Sequence, residues 1–501
     1  MPPDNPNIGS KAPDQEGKPP SATPDQTGYD GLRFFTEASP ELPSVSKEGS
    51  KHQPCLLFRG QENWLKRFKN GEPEAIKQEV RALVARWLKM QNVCVLLGAG
   101  ASQYVAGFVG AGLYDKAKAL LLAGRPSGNT LATLLKLCSE PERMGAKFEL
   151  LLSELSVLVR LLNRPDWALD KLPADALIKQ FGKLQKCDLE NLLLDFERAI
   201  AISCNLDLPP SPLVLEDTPL SPHETFFAKL VSRDPQHGRA LVFTTNCDTL
   251  PEQAMDRLGI FYCDGFSGSV NRRFNPGAYD VDLHYPGETT EGRVRRFDKY
   301  IHMYKLHGSI NWRRSSPTAQ SPYGILFDPT PLPKYSDALN ENAKAGKSVF
   351  EAVLRRGEGL AILPTAAKYG ETLGMPYAHI FRSMAHAMRQ PQTVLFAIGY
   401  SGWDYHINQV ILDALTNPGF TCVIINPVPS EWARTLCRAD FSGRIYCVGG
   451  EWGKFEFFAN FVMPDLEILK TELAIARTLR ELQKTRLVET IEEEDSGSPN
   501  E

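Results

Sequence analysis

The chain has no pair of cysteines in Cys-x-x-Cys spacing, although its 501 residues include ten cysteines. Paired cysteines of that spacing are the usual sign of a structural zinc site or a redox-active dithiol. Several of the ten lie inside apolar runs, where a free thiol behaves as a small hydrophobic side chain. The sequence therefore predicts buried free thiols, no zinc and no redox pair.

The chain also has little excess charge and no long apolar run. Its 56 lysines and arginines against 60 aspartates and glutamates give a net charge of −4, so no overall basic surface for nucleic acid is expected. No run of about 18 apolar residues occurs, and the N-terminus lacks the basic-then-apolar pattern of a secretory signal. We therefore expect a cytoplasmic protein that binds neither membranes nor nucleic acid directly.

Composition divides the chain into three parts. Residues 1–53 are rich in Pro, Ser, Gly, Asp and Lys and lack apolar clusters, so a disordered tail is expected. Residues 54–463 are expected to form the main domain, and residues 464–501 a C-terminal helix with an acidic tail. Within the main domain, leucines spaced three or four residues apart predict a helical insertion at about 103–235.

Short apolar runs that end in small or polar residues predict the strands of a parallel sheet. The runs are continuous rather than alternating, as in strands covered on both faces, and helical stretches separate several of them. They span 93–97, 240–246, 302–308, 359–365, 393–400, 421–427 and 444–450. We therefore predict an α/β fold, a Rossmann-like parallel sheet with helices on both faces and a large helical insertion.

Three other stretches have patterns of their own. Helical spacing of apolar residues over 73–90 predicts a helix before the first strand. Residues 261–300 and 313–358 contain glycines, prolines and paired arginines, and are predicted to be loops. The paired arginines are interpreted as solvated surface charge, with contact to a phosphate or an acidic partner as the alternative.

The motif GAGAS at 98–102 directly follows the first predicted strand. Glycines in this position let the backbone turn tightly and present N–H groups to a diphosphate, and the start of the next helix adds a favourable dipole. Gly98, Ala99, Gly100 and Ser102 are therefore candidates to bind a nucleotide. Taken alone, the motif fits an ordinary tight turn equally well.

Polar side chains follow two further strands. In TTNCD, Asn246 and Asp248 are two residues apart and would point the same way if the extended geometry persists. Capping of the next helix is the alternative for both. In YKLHGS, Lys305 and His307 would share a face, and His307 could titrate near neutral pH and transfer a proton. The alternative for His307 is a hydrogen-bonded structural histidine.

Two later strands end in a similar way. GYSGWD places Ser401 after a strand, where Ser401 and Asp404 could instead form a capping box for the following helix. VIINP places Asn426 at the end of another strand, where it suits contact with a ribose or an adenine. A turn residue is the alternative for Asn426.

In their order, these motifs resemble the sirtuin-like NAD-consuming domains of bacterial antiphage defence. The matching pieces are GAGAS (98–102), TTNCD (244–248), KLHGS (305–309), GYSGWD (399–404) and IINP (424–427), within about 91–460. The chain lacks the four zinc cysteines and the Pro-Asp-Phe-Arg segment of the sirtuin deacylases. The resemblance therefore implies hydrolysis of NAD+ itself, without zinc, rather than protein deacylation.

The resemblance also implies roles for individual residues. Asn246 would position the ribose or a water molecule, and His307 would act as general base or bind a ribose hydroxyl. Asp248 would bind the carboxamide, and Ser401 and Asn426 the adenosine. The residues implied to contact NAD+ are Gly98, Ala99, Gly100, Ser102, Thr245, Asp248, Gly399, Ser401 and Asn426.

The main alternative is a sensor that binds NAD+ or ADP-ribose without turnover. The pair Asn246 and His307 favours the hydrolase, because a sensor needs no proton-transfer group. The resemblance further implies a defence effector that depletes NAD+ and is held inactive until it is triggered. A homo-oligomer and a HerA-type ATPase partner are expected on the same basis.

Overall fold

The computed structural model describes residues 56–64, 73–105, 107, 110–123, 126–137, 151–152, 155–157, 159, 186–211, 219–233, 237–286, 296–345, 375–440 and 442–464. The predicted tail at 1–53, the predicted strand at 359–365 and the predicted C-terminal helix beyond Pro464 lie outside these residues. No helix in the described part of the chain is both long and apolar enough to cross a membrane.

A nine-stranded sheet forms the centre of the described structure. Its strands are β1 (Leu56–Arg59), β2 (Glu62–Asn63), β3 (Asn92–Leu97), β4 (Leu241–Thr244), β5 (Phe261–Cys263), β8 (Tyr300–Lys305), β11 (Thr393–Ile398), β12 (Phe420–Ile425) and β13 (Ile445–Gly449). The strand order is β2-β1-β13-β12-β11-β3-β4-β8-β5, and all neighbours from β13 to β5 are parallel. The predicted parallel sheet is confirmed, with the antiparallel hairpin β1–β2 added at one edge.

The strand order explains where a ligand is to be sought. From β3 the chain proceeds outward through β4 and β8, and then returns to the other side of β3 as β11, β12 and β13. This order, β8-β4-β3-β11-β12-β13, is that of the doubly wound dinucleotide-binding folds. The reversal leaves a crevice at the carboxyl ends of β3 and β11, because the connections from these two strands depart in opposite directions.

Helices cover both faces of the sheet. They are α1 (Pro73–Leu88), α5 (Pro222–Val231) and α6 (Leu250–Leu258) on one face, and α8 (Tyr377–Met388), α9 (Tyr405–Leu415) and α10 (Glu431–Ala439) on the other. In β3, Val93, Val95 and Leu97 enter the first core, whereas Cys94 and Leu96 enter the second. Because both faces are buried, the strand is apolar throughout rather than alternating. The helix predicted over 73–90 is confirmed as α1.

A third apolar core belongs to the helical insertion. It is formed by α2 (Gly110–Leu122), α3 (Pro126–Leu137), α4 (Lys186–Ser203) and also α7 (Tyr335–Ala345). The predicted end of the insertion at about 235 is too late, because Phe226, Phe227 and Leu230 of α5 pack in the core of the main sheet. Helical periodicity shows that a helix has an apolar face, but not which core that face enters.

The stretches predicted as loops at 261–300 and 313–358 contain short strands. Besides β5, a small antiparallel sheet has the order β6-β7-β10-β9, formed by β6 (Phe266–Ser267), β7 (Arg273–Phe274), β9 (Trp312–Arg314) and β10 (Ile325–Phe327). Strands of two or three residues are too short to produce a periodic pattern.

The prediction that the paired arginines are solvated surface charge is wrong for Arg272. Its guanidinium donates to both carboxylate oxygens of Asp264, at 2.7 and 2.8 Å, and lies 4.5 Å from the ring centroid of Phe327. An arginine that donates to a carboxylate and lies over an aromatic ring makes structural contacts rather than solvated surface charge. Arg295, from another of the pairs, lies outside the described residues.

Candidate functional site

The glycine loop meets a second loop at the crevice between β3 and β11. A Cβ atom on Gly98 would lie 2.4 Å from the carbonyl oxygen of Gly399, and one on Gly100 would lie 2.6 Å from its Cα. The Gly100 N–H donates to the Gly399 carbonyl at 3.0 Å. The half-buried Ala99 begins the 3-10 segment Ala99–Val105. The two loops therefore touch backbone to backbone, and this approach by itself requires the glycines.

Asn246 and Asp248 both bind Ser102, although β4 ends at Thr244, before either residue. The buried Ser102 hydroxyl donates to Asp248 Oδ2 at 2.7 Å and accepts from Asn246 Nδ2 at 3.0 Å. Asn246 Nδ2 also donates to the carbonyl of Gly98 at 3.0 Å. The end of β4 is thereby joined to the glycine loop, and the three side chains form one hydrogen-bonded unit.

Asp248 also has the local capping role that was the alternative for it. Its Oδ1 accepts from the N–H of Leu250 at the start of α6, at 3.1 Å. Burial raises the pKa of the Asp248 carboxyl, whereas the Lys305 charge and the Ser102 hydrogen bond oppose that rise. Both carboxylate oxygens already accept hydrogen bonds within the protein, and contact with a carboxamide stays a prediction.

Lys305 binds the segment between β4 and α6 that carries Asp248. It is only 2% exposed, its Nζ lies 2.8 Å from Glu252 Oε1, and it donates to the main-chain carbonyl of Asp248. Burial raises the pKa of Glu252, and the Lys305 charge opposes that rise. The sequence placed Lys305 on the face of His307 but did not reveal this ion pair, because Glu252 belongs to a different element.

Substitution Lys305→Met is expected to lower the free energy of unfolding by about 3–5 kcal/mol, because it leaves a buried carboxylate without its partner. Urea denaturation measures the loss, and adding Glu252→Gln should recover part of it. A matched control is Lys334→Met, which breaks the 2.6 Å pair with Asp207 in which the side chains are 40% and 65% exposed. That loss should stay below about 1 kcal/mol. Equal losses would contradict the role of the buried pair.

His307 lies in the turn after β8 and approaches the loop after β11. It is 8% exposed, and its Nε2 lies 3.7 Å from Asp404 Oδ1. The strands β8 and β11 are separated in the sheet by β4 and β3, so the two loops meet across the carboxyl ends of those strands. His307 and Asp404 therefore lie at the carboxyl edge of the sheet, the edge at which the glycine loop and Asn246 also lie.

The capping box that was the alternative for Ser401 and Asp404 is not formed, and the contact of Ser401 with the nucleotide stays a prediction. Asp404 is the N-cap residue of α9 by position, but its side chain makes no capping hydrogen bond. Ser401 is exposed. The Asp404 carboxylate instead approaches His307, and His406 lies in the first turn of α9, with its ring centroid 5.8 Å from that of His307. Sequence reasoning missed Asp404 and His406 as neighbours of His307, because only the strand order brings the two loops together.

Asn426 and Thr245 hold main-chain groups at the crevice. The buried Asn426 side chain donates from Nδ2 to the Tyr400 carbonyl at 2.7 Å, which ties the end of β12 to the loop after β11. The N–H of Thr245 donates to the Leu97 carbonyl at 3.0 Å. Both residues therefore lie at the predicted edge, and their contacts with the nucleotide stay predictions.

The far end of the glycine loop is anchored by a buried histidine. The Tyr104 hydroxyl lies 2.7 Å from Nδ1 of His223, which is 1% exposed. Burial lowers the pKa of His223 to about 3, so the imidazole is neutral in the folded protein. The sequence analysis did not select this pair.

His223 is expected to make stability depend on pH. Its folded pKa lies below the ordinary 6.5, so between about pH 6.5 and 3 the unfolded chain binds a proton that the folded chain does not. The free energy of unfolding should therefore fall by up to about 1.4 kcal/mol per pH unit as the pH decreases through that range. Urea denaturation of wild type and His223→Gln isolates the effect, since the variant should lack this component. Parallel curves would contradict it.

A cavity of about 450 Å³ lies at the opposite edge of the sheet. Its lining includes Asn92 and Leu241, which begin β3 and β4, together with Arg239, Tyr279 and His379. It contains none of the predicted site residues. The candidate site is therefore the crevice at the carboxyl edge, where the strand order reverses.

Comparison with known families supports the same region. The family model described as SIR2-like domain matches residues 240–433. No curated protein matches the chain. The matched segment begins at β4 and ends in α10, so it contains Asn246, His307 and Asn426, whereas the glycine loop precedes it. The part of this chain that supplies these three residues is thus similar to a SIR2-like domain.

Proposed function

We propose that this protein hydrolyses NAD+ to nicotinamide and ADP-ribose. The observation that carries the proposal is the hydrogen-bonded Ser102–Asn246–Asp248 unit on the glycine loop, with His307 in the turn after the neighbouring strand β8. The glycine loop lies at the crevice where the strand order reverses, and doubly wound folds bind dinucleotides there. The SIR2-like match at 240–433 and the order of the motifs support NAD+ as the dinucleotide.

The reaction needs little help with its leaving group. The bond between ribose C1′ and the cationic pyridinium nitrogen breaks, and nicotinamide departs as a neutral molecule. The transition state resembles an oxocarbenium ion, as in glycoside cleavage. Water then adds to C1′ and loses one proton, so the protein must orient the water and accept that proton.

His307 and Asn246 are suited to these two tasks. His307 lies at the same edge of the sheet and would accept the proton from water, a contribution of about 10²–10⁴ in rate for general base catalysis. Asn246 already donates from Nδ2 to Gly98 and Ser102. Its amide oxygen is therefore the group that it can offer as an acceptor to the ribose or the water. Ser102 and Asp248 act as positioning residues that hold Asn246.

The test is to incubate the purified full-length chain with NAD+ and to separate the products by chromatography. Nicotinamide and ADP-ribose in equal amounts, formed without any acylated peptide, are expected. Release of nicotinamide only in the presence of an acetylated peptide would indicate a deacylase instead. Bound NAD+ without turnover, even with the product of a neighbouring gene added, would favour a sensor. The defence role implied by the motifs would require NAD+ to fall in infected cells that carry the protein.

A further inference from the structure

His307 has two neighbours that the proposed hydrolysis does not use. His307, Asp404 and His406 each offer one ligand atom, and these atoms lie within 4.8 Å of one another. Within this set, His307 Nε2 lies 3.7 Å from Asp404 Oδ1. One residue comes from the turn after β8, and the other two from the start of α9, so the strand order assembles the set.

Two imidazoles and one carboxylate are a ligand set of mononuclear transition-metal sites. Zinc bonds of about 2.0–2.2 Å place the ligand atoms of a tetrahedral ion about 3.3–3.6 Å apart. His307 Nε2 and Asp404 Oδ1, at 3.7 Å, are slightly farther apart than this, and the whole set lies within 4.8 Å, so small side-chain rotations would bring the ligand atoms around an ion. Magnesium and calcium prefer six or more oxygen ligands, which this group does not offer.

The surroundings also suit a bound ion. His307 and His406 are 8% and 9% exposed, and the Asp404 side chain is 12% exposed. The ring of His406 packs edge-on against Phe381, with centroids 4.8 Å apart, which restricts its orientation. His307 and Asp404 alone could form an ordinary ion pair. The presence of a third ligand, His406, is what favours a metal site over such a pair.

We propose that His307, Asp404 and His406 bind a divalent transition-metal ion of the zinc type, with water at an open fourth position. The ion holds the proposed hydrolase inactive, because an imidazole nitrogen that coordinates a metal cannot accept a proton. Binding itself is independent of the proposed function, whereas the inhibition rests on it. The site is distinct from the four-cysteine zinc site that the sequence lacks.

Binding is tested with Co2+ as a visible probe on the full-length, chelator-treated chain. Wild type should develop the absorption bands of a low-coordinate cobalt site at one ion per chain. Substitution His406→Phe keeps a ring against Phe381 and removes the ligand. It should weaken binding by more than the 10–100-fold that loss of a second-shell partner costs. The matched control is His386→Phe, at an exposed histidine of α8 that bonds Gln390. It should bind as wild type does.

Equal cobalt affinity in wild type and His406→Phe would overturn the proposal. Replacing a buried imidazole by a phenyl ring can disturb folding, so His406→Asn is measured beside His406→Phe. Thermal melting confirms that each variant is folded. A folded His406→Asn that binds cobalt as wild type does would overturn the proposal equally.

The inhibition is tested by NAD+ cleavage with and without Zn2+. Wild type and His386→Phe should lose activity as the site fills, whereas His406→Phe should keep the basal rate at the same zinc concentration. Zinc inhibition of His406→Phe equal to that of wild type would overturn the regulatory part. Cobalt binding at His406 without any NAD+ cleavage would refute the hydrolase and leave the metal site standing.

Discussion

Substitution His307→Ala is expected to lower kcat for NAD+ cleavage by about 10²–10⁴-fold, the usual contribution of a positioned general base. His307 lies near Asp404, whereas the glycine loop is held by Gly399, Asn246 and Asp248, so NAD+ should still bind. The dissociation constant should therefore change far less than kcat. Product chromatography gives the rate, and calorimetric titration of NAD+ gives the affinity.

Two further variants make the His307 result specific. Asn246→Ala should cost a similar factor in kcat, because it removes the acceptor that orients the ribose or the water. His386→Ala removes an exposed histidine from the opposite part of the fold and should leave the rate unchanged. A folded His307→Ala protein with more than a tenth of the wild-type kcat would refute the role of His307 as general base.

Substitution Gly399→Ala is expected to cost about 3–5 kcal/mol in the free energy of unfolding. Gly399 has a φ of +65°, and an added Cβ would lie 2.5 Å from the nitrogen of Ala101 and 2.6 Å from the carbonyl carbon of Gly100. Both contacts are with backbone, which cannot rotate away. Overpacking and left-handed strain therefore add to one another.

Gly259→Ala separates those two contributions. Gly259 ends α6 with a φ of +64°, almost the same as Gly399, but nothing lies within 4 Å of an added Cβ there. Its substitution should cost only the backbone strain, about 1–2 kcal/mol. Urea denaturation of both variants measures the difference. Losses of equal size would show that the contact between the two crevice loops contributes nothing.

Much of the site could be predicted from local patterns alone. The polar residues after β4 and β8 were expected to lie at the carboxyl edge of a parallel sheet, because parallel strands end on the same side. The two-residue spacing of Asn246 and Asp248 predicted a common direction, and both side chains bind Ser102, although β4 ends before them. These are consequences of short-range geometry, which depends on neighbouring residues only.

Other contacts could not be predicted, because each depends on how elements pack and not on a local pattern. Lys305 pairs with Glu252 through the packing of α6 beside β8, and nothing near either residue in the sequence indicates the other. Arg272 lies in a stretch whose composition predicts an exposed loop, but its side chain donates to Asp264. In each case the partner is decided by which elements pack together.

The amino-acid sequence by itself determined the α/β class, the parallel strands, the apolar first strand with its glycine turn, and the polar residues at the strand ends. All of these follow from periodicity, turn chemistry and side-chain type. Only the tertiary structure decided the order β8-β4-β3-β11-β12-β13 and, with it, which strand ends are neighbours. That order brings Gly98 against Gly399 and His307 to Asp404 and His406, because contacts between distant segments depend on how whole elements bury their apolar faces.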